Sequence, residues 1–179
     1  MNFVNNNSKK ESFENCAKLK TFEGIRFIEK DVITNNREIF ENYKVFISKA
    51  DGAAGLIGDR DKDGKTKQSR IIGKNVVAEP FEACTDTYIP IGNFDNITEA
   101  ENLSKYLKTK FLRFMVGIMK TSQNLYQIVY RFVPMQTFTE TSDIEWPKSI
   151  REIDEQLYRK YKLTNEQIKY IDNMISPME

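Results

Sequence analysis

Up to about residue 95 the apolar residues of this chain tend to alternate; beyond it they recur every three or four positions. Those two periods belong to strands and to helices, so the chain divides into a sheet-forming first half and a helix-forming second half. In the first half Phe22, Ile25 and Phe27 alternate, which predicts a strand over 25–28. Residues 31–43 read as a short helix or turn, with Ile39, Phe40 and Tyr43 at helical spacing. Val45 and Ile47 then face one way and Lys44, Phe46 and Ser48 the other, a half-buried strand ended by Gly52 and Gly55. Further strands are expected at 69–73, 75–79 and 87–91.

In the second half Thr98-Glu-Ala-Glu101 has the spacing of a capping box. Leu103, Leu107, Phe111, Phe114 and Ile118 follow as one apolar stripe, predicting a helix from Thr98 to about Lys120. Acids sit at its start and bases from Lys105 onward, complementing the helix dipole. Residues 125–132 fit a helix or a strand. After a linker over 137–147, Ile150, Ile153 and Leu157 share one helical face. Thr164-Asn-Glu-Gln167 is a second capping box ahead of Ile168, Ile171 and Ile175. The expected fold is α+β: a small mixed or antiparallel sheet packed on a long basic amphipathic helix, with a helical C-terminal appendage. Its parts are a flexible lead-in (1–20), the α+β domain (21–138) and the appendage (139–179).

Several chemistries are excluded by composition. The chain has no histidine, which removes a Ser-His-Asp triad, a Cys-His pair and any His-liganded zinc. Cys16 and Cys84 are isolated and match no metal or redox spacing. No apolar run is long enough to cross a bilayer, and the N-terminus lacks a signal-peptide core, so no membrane partner and a reduced cytoplasm are expected.

A net charge of +1 conceals a strong asymmetry. Residues 44–74 hold eight bases against four acids, and 102–139 hold six bases and no acid. From Glu140 onward acids exceed bases, nine to six. A nearly neutral chain with such blocks can present a basic face to a polyanion.

Individual motifs are weaker. Asp59-Arg-Asp-Lys-Asp-Gly64 matches the first half of a calcium loop, but Arg70 stands where the bidentate glutamate belongs, so a solvated hairpin turn is expected. Asp63-Gly-Lys65 has the acid-x-Lys form of many nucleases yet sits at a turn glycine without an apolar flank. No catalytic or metal-ligating set is therefore assigned. Ser48, Lys49 and Asp51 lie where a strand opens into a glycine-bearing loop, suited to phosphates or base edges. Arg70, Lys74, Lys105, Lys108 and Lys120 are candidate phosphate contacts. Gln123 and Asn124 can pair bidentately with adenine. Phe111, Phe114, Tyr126, Tyr130 and Trp146 are expected to pack rather than stack on bases, and Cys84 to be a small buried side chain.

Five blocks together carry a resemblance. They are Lys44-Val-Phe-Ile-Ser-Lys-Ala-Asp-Gly-Ala-Ala-Gly55, Glu82-Ala-Cys-Thr-Asp-Thr-Tyr88, Lys108-Thr-Lys-Phe-Leu-Arg-Phe114, Tyr130-Arg-Phe-Val-Pro-Met-Gln136 and Leu163-Thr-Asn-Glu-Gln-Ile168. The chain from about Gly24 onward resembles the C-terminal part of bacterial restriction–modification proteins, the adenine-specific DNA methyltransferases and fused methyltransferase–endonucleases. In that family this part follows the methylation domain and belongs to target recognition. The resemblance implies duplex DNA as ligand and a methyltransferase or endonuclease domain or subunit as partner. S-adenosylmethionine and magnesium would belong to the family's catalytic domains, with no cofactor in this chain. The family's Asn-Pro-Pro-Tyr motif and its glycine-rich S-adenosylmethionine loop do not occur here. The expectation is a DNA-binding specificity module, non-catalytic on its own. The alternatives are a nuclease domain with a carboxylate–metal site and a protein-docking scaffold with a basic face.

Overall fold

The computed structural model describes residues 8–50, 55–122 and 124–178. Asp51 and Gln123, two of the candidate DNA contacts, lie outside them. The fold is α+β, with two three-stranded sheets rather than one. The first sheet has the order β2-β1-β5: β1 (Cys16–Thr21) pairs antiparallel with β2 (Gly24–Glu29) and parallel with β5 (Glu82–Cys84). The second is antiparallel, in the order β4-β3-β6, with β3 (Tyr43–Ser48) between β4 (Asn75–Ala78) and β6 (Tyr88–Phe94). Residues 16–20, expected to be part of a flexible lead-in, thus belong to the central strand of a sheet. Ala17, Leu19 and Thr21 alternate inward along β1, and the first two join Ile28 and Phe40 in a small separate core.

The larger core lies between the second sheet and the helices. Strand β3 is buried on both faces rather than half-buried, with Val45, Phe46 and Ile47 each 3% exposed or less. Strand β6 depends on one glycine inside it, beside the point where its register with β3 shifts. Gly92 has φ +87°, and a Cβ there would stand 2.3 Å from Phe94 Cε2 and 3.0 Å from Leu103 Cδ2. Gly92→Ala should therefore cost about 3 kcal/mol in chemical denaturation, from strained backbone and overlap together.

The predicted strand at 69–73 does not form. Its backbone bonds run elsewhere: Ser69 N donates to Met174 O, Ser176 N donates to Ser69 O, and Ile71 adopts φ +67°. Ile71 and Ile72 are buried all the same, so hydrophobicity there marked core and not strand. The short helix expected over 31–43 is α1 (Arg37–Glu41).

The long helix is two helices, α2 (Ile97–Lys108) and α3 (Lys110–Met119), hinged at Thr109. The first begins one residue before Thr98, and its cap is Asn96, whose side chain accepts from Glu99 N at 3.0 Å. Asparagine is among the best capping residues, which is why it displaces the Thr98 box. Thr109 is extended (φ −62°, ψ 145°) and closes both helices: its hydroxyl donates to Tyr106 O at 2.7 Å and accepts from Leu112 N at 3.2 Å. The break changes which face is buried. Leu103, Leu107 and Phe111 stay inside, Leu112 and Val116 take over in α3, and Ile118 is 58% exposed.

Residues 125–132 contain a 3-10 turn over Gln127–Tyr130. The C-terminal pair is α4 (Ile150–Lys160) and α5 (Asn165–Met174). The Thr164–Gln167 capping box is present, and so is one at Ser149–Glu152 that sequence reading passed over. Ile153, Leu157 and Ile171 anchor both helices in the larger core. Among the described residues no helix is long and apolar enough to cross a membrane.

Candidate functional site

Bases that look alike in sequence take opposite positions in the fold. Lys44 is 1% exposed, and its ammonium donates to the carbonyl oxygens of Phe40 (3.0 Å), Asn42 (3.0 Å) and Glu79 (2.6 Å). Burial, opposed by the nearby Glu82 and Cys84, lowers its pKa to about 8 from 10.5. The native state then holds this proton less tightly than the unfolded chain does, so stability rises as pH climbs from about 8 to about 10.5. Denaturation curves should show wild type gaining roughly 3 kcal/mol on Lys44→Met across that window.

Arg113 is fully buried at the α2–α3 hinge. Its Nε donates to Lys108 O (3.0 Å) and Thr109 O (3.2 Å), and its Nη1 donates to Arg70 O (3.2 Å). Burial lowers its pKa to about 10, with Asp154 and Tyr158 acting the other way. Lys120 is 6% exposed and donates to Ile71 O at 2.6 Å and Gly55 O at 3.3 Å. Its role here is to satisfy loop carbonyls, which corrects its placement on an outward basic surface.

The other predicted residues fall into two groups. Ser48, Lys49 and Asn124 come together because Leu125 N donates to Lys49 O at 2.7 Å and Ala50 bridges Asn124. Ser48 Oγ donates to Ala50 O, and Asn124 Nδ2 donates to the exposed Tyr126 hydroxyl. Lys74 is exposed just before β4, and Arg70 is half-buried on the segment that Arg113 pins. Lys105 and Lys108 belong to the second group, a cleft of about 1340 Å³ between the α2–α3 pair and the α4–α5 pair.

The cleft is strongly basic. From α2 and α3 come Lys105, Lys108, Lys110 and Arg113; from α4 and its flanks come Lys148, Arg151, Arg159 and Lys162. Three carboxylates face them, and each is engaged. Glu155 pairs with Arg151 at 3.3 Å and Asp172 with Lys110 at 2.5 Å. Asp154, 5% exposed, accepts from the α3 amides Lys110 N and Phe111 N, both at 2.9 Å. Burial raises the Asp154 pKa to about 6, against those two amides and Arg113. Lys105 is also committed, donating to Trp146 O at 2.6 Å. Lys108, Lys148, Arg159 and Lys162 make no ion pair or side-chain hydrogen bond among the described residues. Uncommitted cations crowded around satisfied carboxylates form a site for a polyanion.

Half of the cleft's cations come from the segment that counting marked as acidic. The missed signal was spacing: Arg151 and Arg159 lie on α4, and Lys148 and Lys162 flank its two ends, each three residues from one of them.

The remaining motifs resolve simply. The 59–67 segment is a hairpin turn in which Asp61 Oδ1 accepts from Asp63 N (2.9 Å) and Lys65 N (2.8 Å). Among the described residues no group of three or more acidic or cysteine side chains is placed to hold a metal ion. Phe111 stacks on Tyr161 at 5.0 Å, and Trp146 packs against Tyr106 and Phe138. Cys84 is half-buried, and burial pushes its thiol up to about 11. Compared with protein-family models, curated proteins and solved structures, the chain matches none.

Proposed function

We propose that this chain is a DNA-binding specificity module of a restriction–modification system, non-catalytic on its own, which grips the phosphate backbone through the α2–α4 cleft. The observation that carries the reading is the cleft itself: eight cationic side chains around three carboxylates that already have partners. Lys49 and Asn124, which do not line the cleft, meet where Ala50 bridges Asn124 and supply a cation and a side-chain amide, which suits a division between backbone grip and base reading. Assignment to a restriction–modification system rests on the sequence resemblance. The methylation domain of such a system would be the partner and would hold any S-adenosylmethionine or magnesium.

Fluorescence anisotropy with labelled duplex DNA tests this. Binding is expected at low salt, weakening steeply as salt rises because each neutralised phosphate releases counterions. Absence of binding at about 50 mM salt would remove the DNA reading. It would leave the cleft as a dock for an acidic protein. Magnesium-dependent cutting abolished by changing Asp61 or Asp63 would support a nuclease instead.

A further inference from the structure

Helix α4 ends in a Schellman turn: Lys162 N donates to Arg159 O at 3.1 Å, and Leu163 N donates to Tyr158 O at 2.9 Å. The residue between Tyr161 and Leu163 is then left-handed, and glycine is its usual occupant because it has no Cβ to clash. Here that residue is Lys162, at φ +53°. Four other non-glycine residues have positive φ. Asn15 and Asn36 belong to a type that tolerates it. Ile71 lies in the larger core, and Phe81 packs edge-on against Phe40 at 5.6 Å. The Lys162 side chain has no such occupation. It is exposed and makes no ion pair, hydrogen bond or ring contact among the described residues.

Helix electrostatics do not account for the lysine. A cation near a helix C-terminus is favourable, but Arg159 and Lys160 already stand in the last turn of α4. What sets Lys162 apart is its place, in the α4–α5 turn and on the cleft that Lys105 and Lys108 line from α2. The turn is tied down beyond it as well. Leu163 packs against the larger core, and Thr164 opens the α5 capping box. A lysine rooted in a pinned turn has less freedom to lose on binding than one on a loose loop. Backbone strain held in place by its surroundings is a recurring mark of functional positions.

We infer that Lys162 is a fixed phosphate contact of the cleft, a lysine kept in the glycine position of the α4–α5 turn so that its ammonium meets the backbone of duplex DNA. The inference rests on the reading of the cleft as a phosphate-binding surface. It adds a residue whose contribution to binding runs against its contribution to stability.

Thermal unfolding without DNA and anisotropy titrations with labelled duplex test it, on wild type, Lys162→Gly and Lys162→Gln. The first variant removes strain and charge together; the second removes the charge alone. Lys162→Gly should melt about 2–4 °C above wild type, and Lys162→Gln at or just below it. Both should bind duplex about eightfold more weakly near 0.1 M salt, with a salt slope shallower by about 0.9. Lys10→Gln, at an exposed residue that does not line the cleft, should match wild type in both measurements. If wild type binds duplex with steep salt dependence and both Lys162 variants bind equally well, the contact is overturned while the cleft reading stands. Lys162→Gly no more stable than Lys162→Gln overturns the inference from strain. If duplex does not bind at all, the DNA reading falls, and long-chain polyphosphate becomes the probe. Weaker polyphosphate binding by both variants than by wild type then upholds the phosphate contact, and equal or absent binding overturns it.

Discussion

Asp154→Ala should destabilise the fold by about 3 kcal/mol at neutral pH, the largest loss expected from removing one charge. The carboxylate is 5% exposed and caps the start of α3 from 44 residues away in sequence. Its removal strands the Lys110 and Phe111 amides and deprives the buried Arg113 of its nearby negative charge. Asp154→Asn keeps one carbonyl oxygen for an amide and should lose less, about 1 kcal/mol. The pH dependence has a definite sign. The folded pKa is raised, to about 6 from 3.8, so the native state binds the proton more tightly than the unfolded chain. Wild type therefore gains stability as pH falls from about 6 towards 4, and neither variant shares that gain. Urea denaturation at several pH values measures it, and a gap between wild type and Asp154→Ala that narrows on acidification would contradict the assignment.

Replacing Lys108, Lys148, Arg159 and Lys162 together by glutamine should lower duplex affinity about a thousandfold near 0.1 M salt. The estimate takes four lost phosphate contacts, each adding about 0.9 to the salt slope. These four are chosen because they make no ion pair or side-chain hydrogen bond among the described residues, so the fold should survive their loss. Lys120→Gln should behave in the opposite way. It removes bonds to Ile71 O and Gly55 O, and its effect should appear in stability more than in the salt slope. All DNA sequences should be affected alike by the fourfold change, as expected of contacts to the backbone.

Much of the fold was legible because it is local. Strands β2, β3, β4 and β6 show their period, and α5 shows its cap at Thr164. Strand β1 alternates just as regularly, but Lys18 and Lys20 between its buried residues made it look like a polar lead-in. The hinge at Thr109 was hidden because Leu103, Leu107 and Phe111 keep helical spacing straight across it. Thr109 caps α3 there, and the Asp154 carboxylate on α4 accepts from the Lys110 and Phe111 amides, a tertiary partner that no local pattern reveals. The failed strand at 69–73 has the same cause: its backbone groups bond to α5 and to the Arg113 and Lys120 side chains.

The site was legible as charge but not as geometry. Lys44, Arg113 and Lys120 counted towards the basic blocks, yet all three are turned inward on backbone carbonyls. Lys105 and Lys108, both candidate phosphate contacts, line the same cleft, while the four cations supplied by α4 and its flanks are masked in the sequence by the acids around them. Folding separates those charges, placing Lys148, Arg151, Arg159 and Lys162 on the cleft and leaving Glu140, Asp143, Glu145 and Glu166 off it.

The salt dependence of duplex binding, compared between wild type and the fourfold cleft variant, tests the phosphate-binding role of the cleft most directly. Anisotropy titrations at several salt concentrations give the slope of log affinity against log salt for each protein. The expected result is a steep wild-type slope, and a variant slope shallower by about 3 to 4. Equal slopes at equal stability, or a wild type whose affinity does not change with salt, would contradict the cleft as the place where this chain meets phosphate.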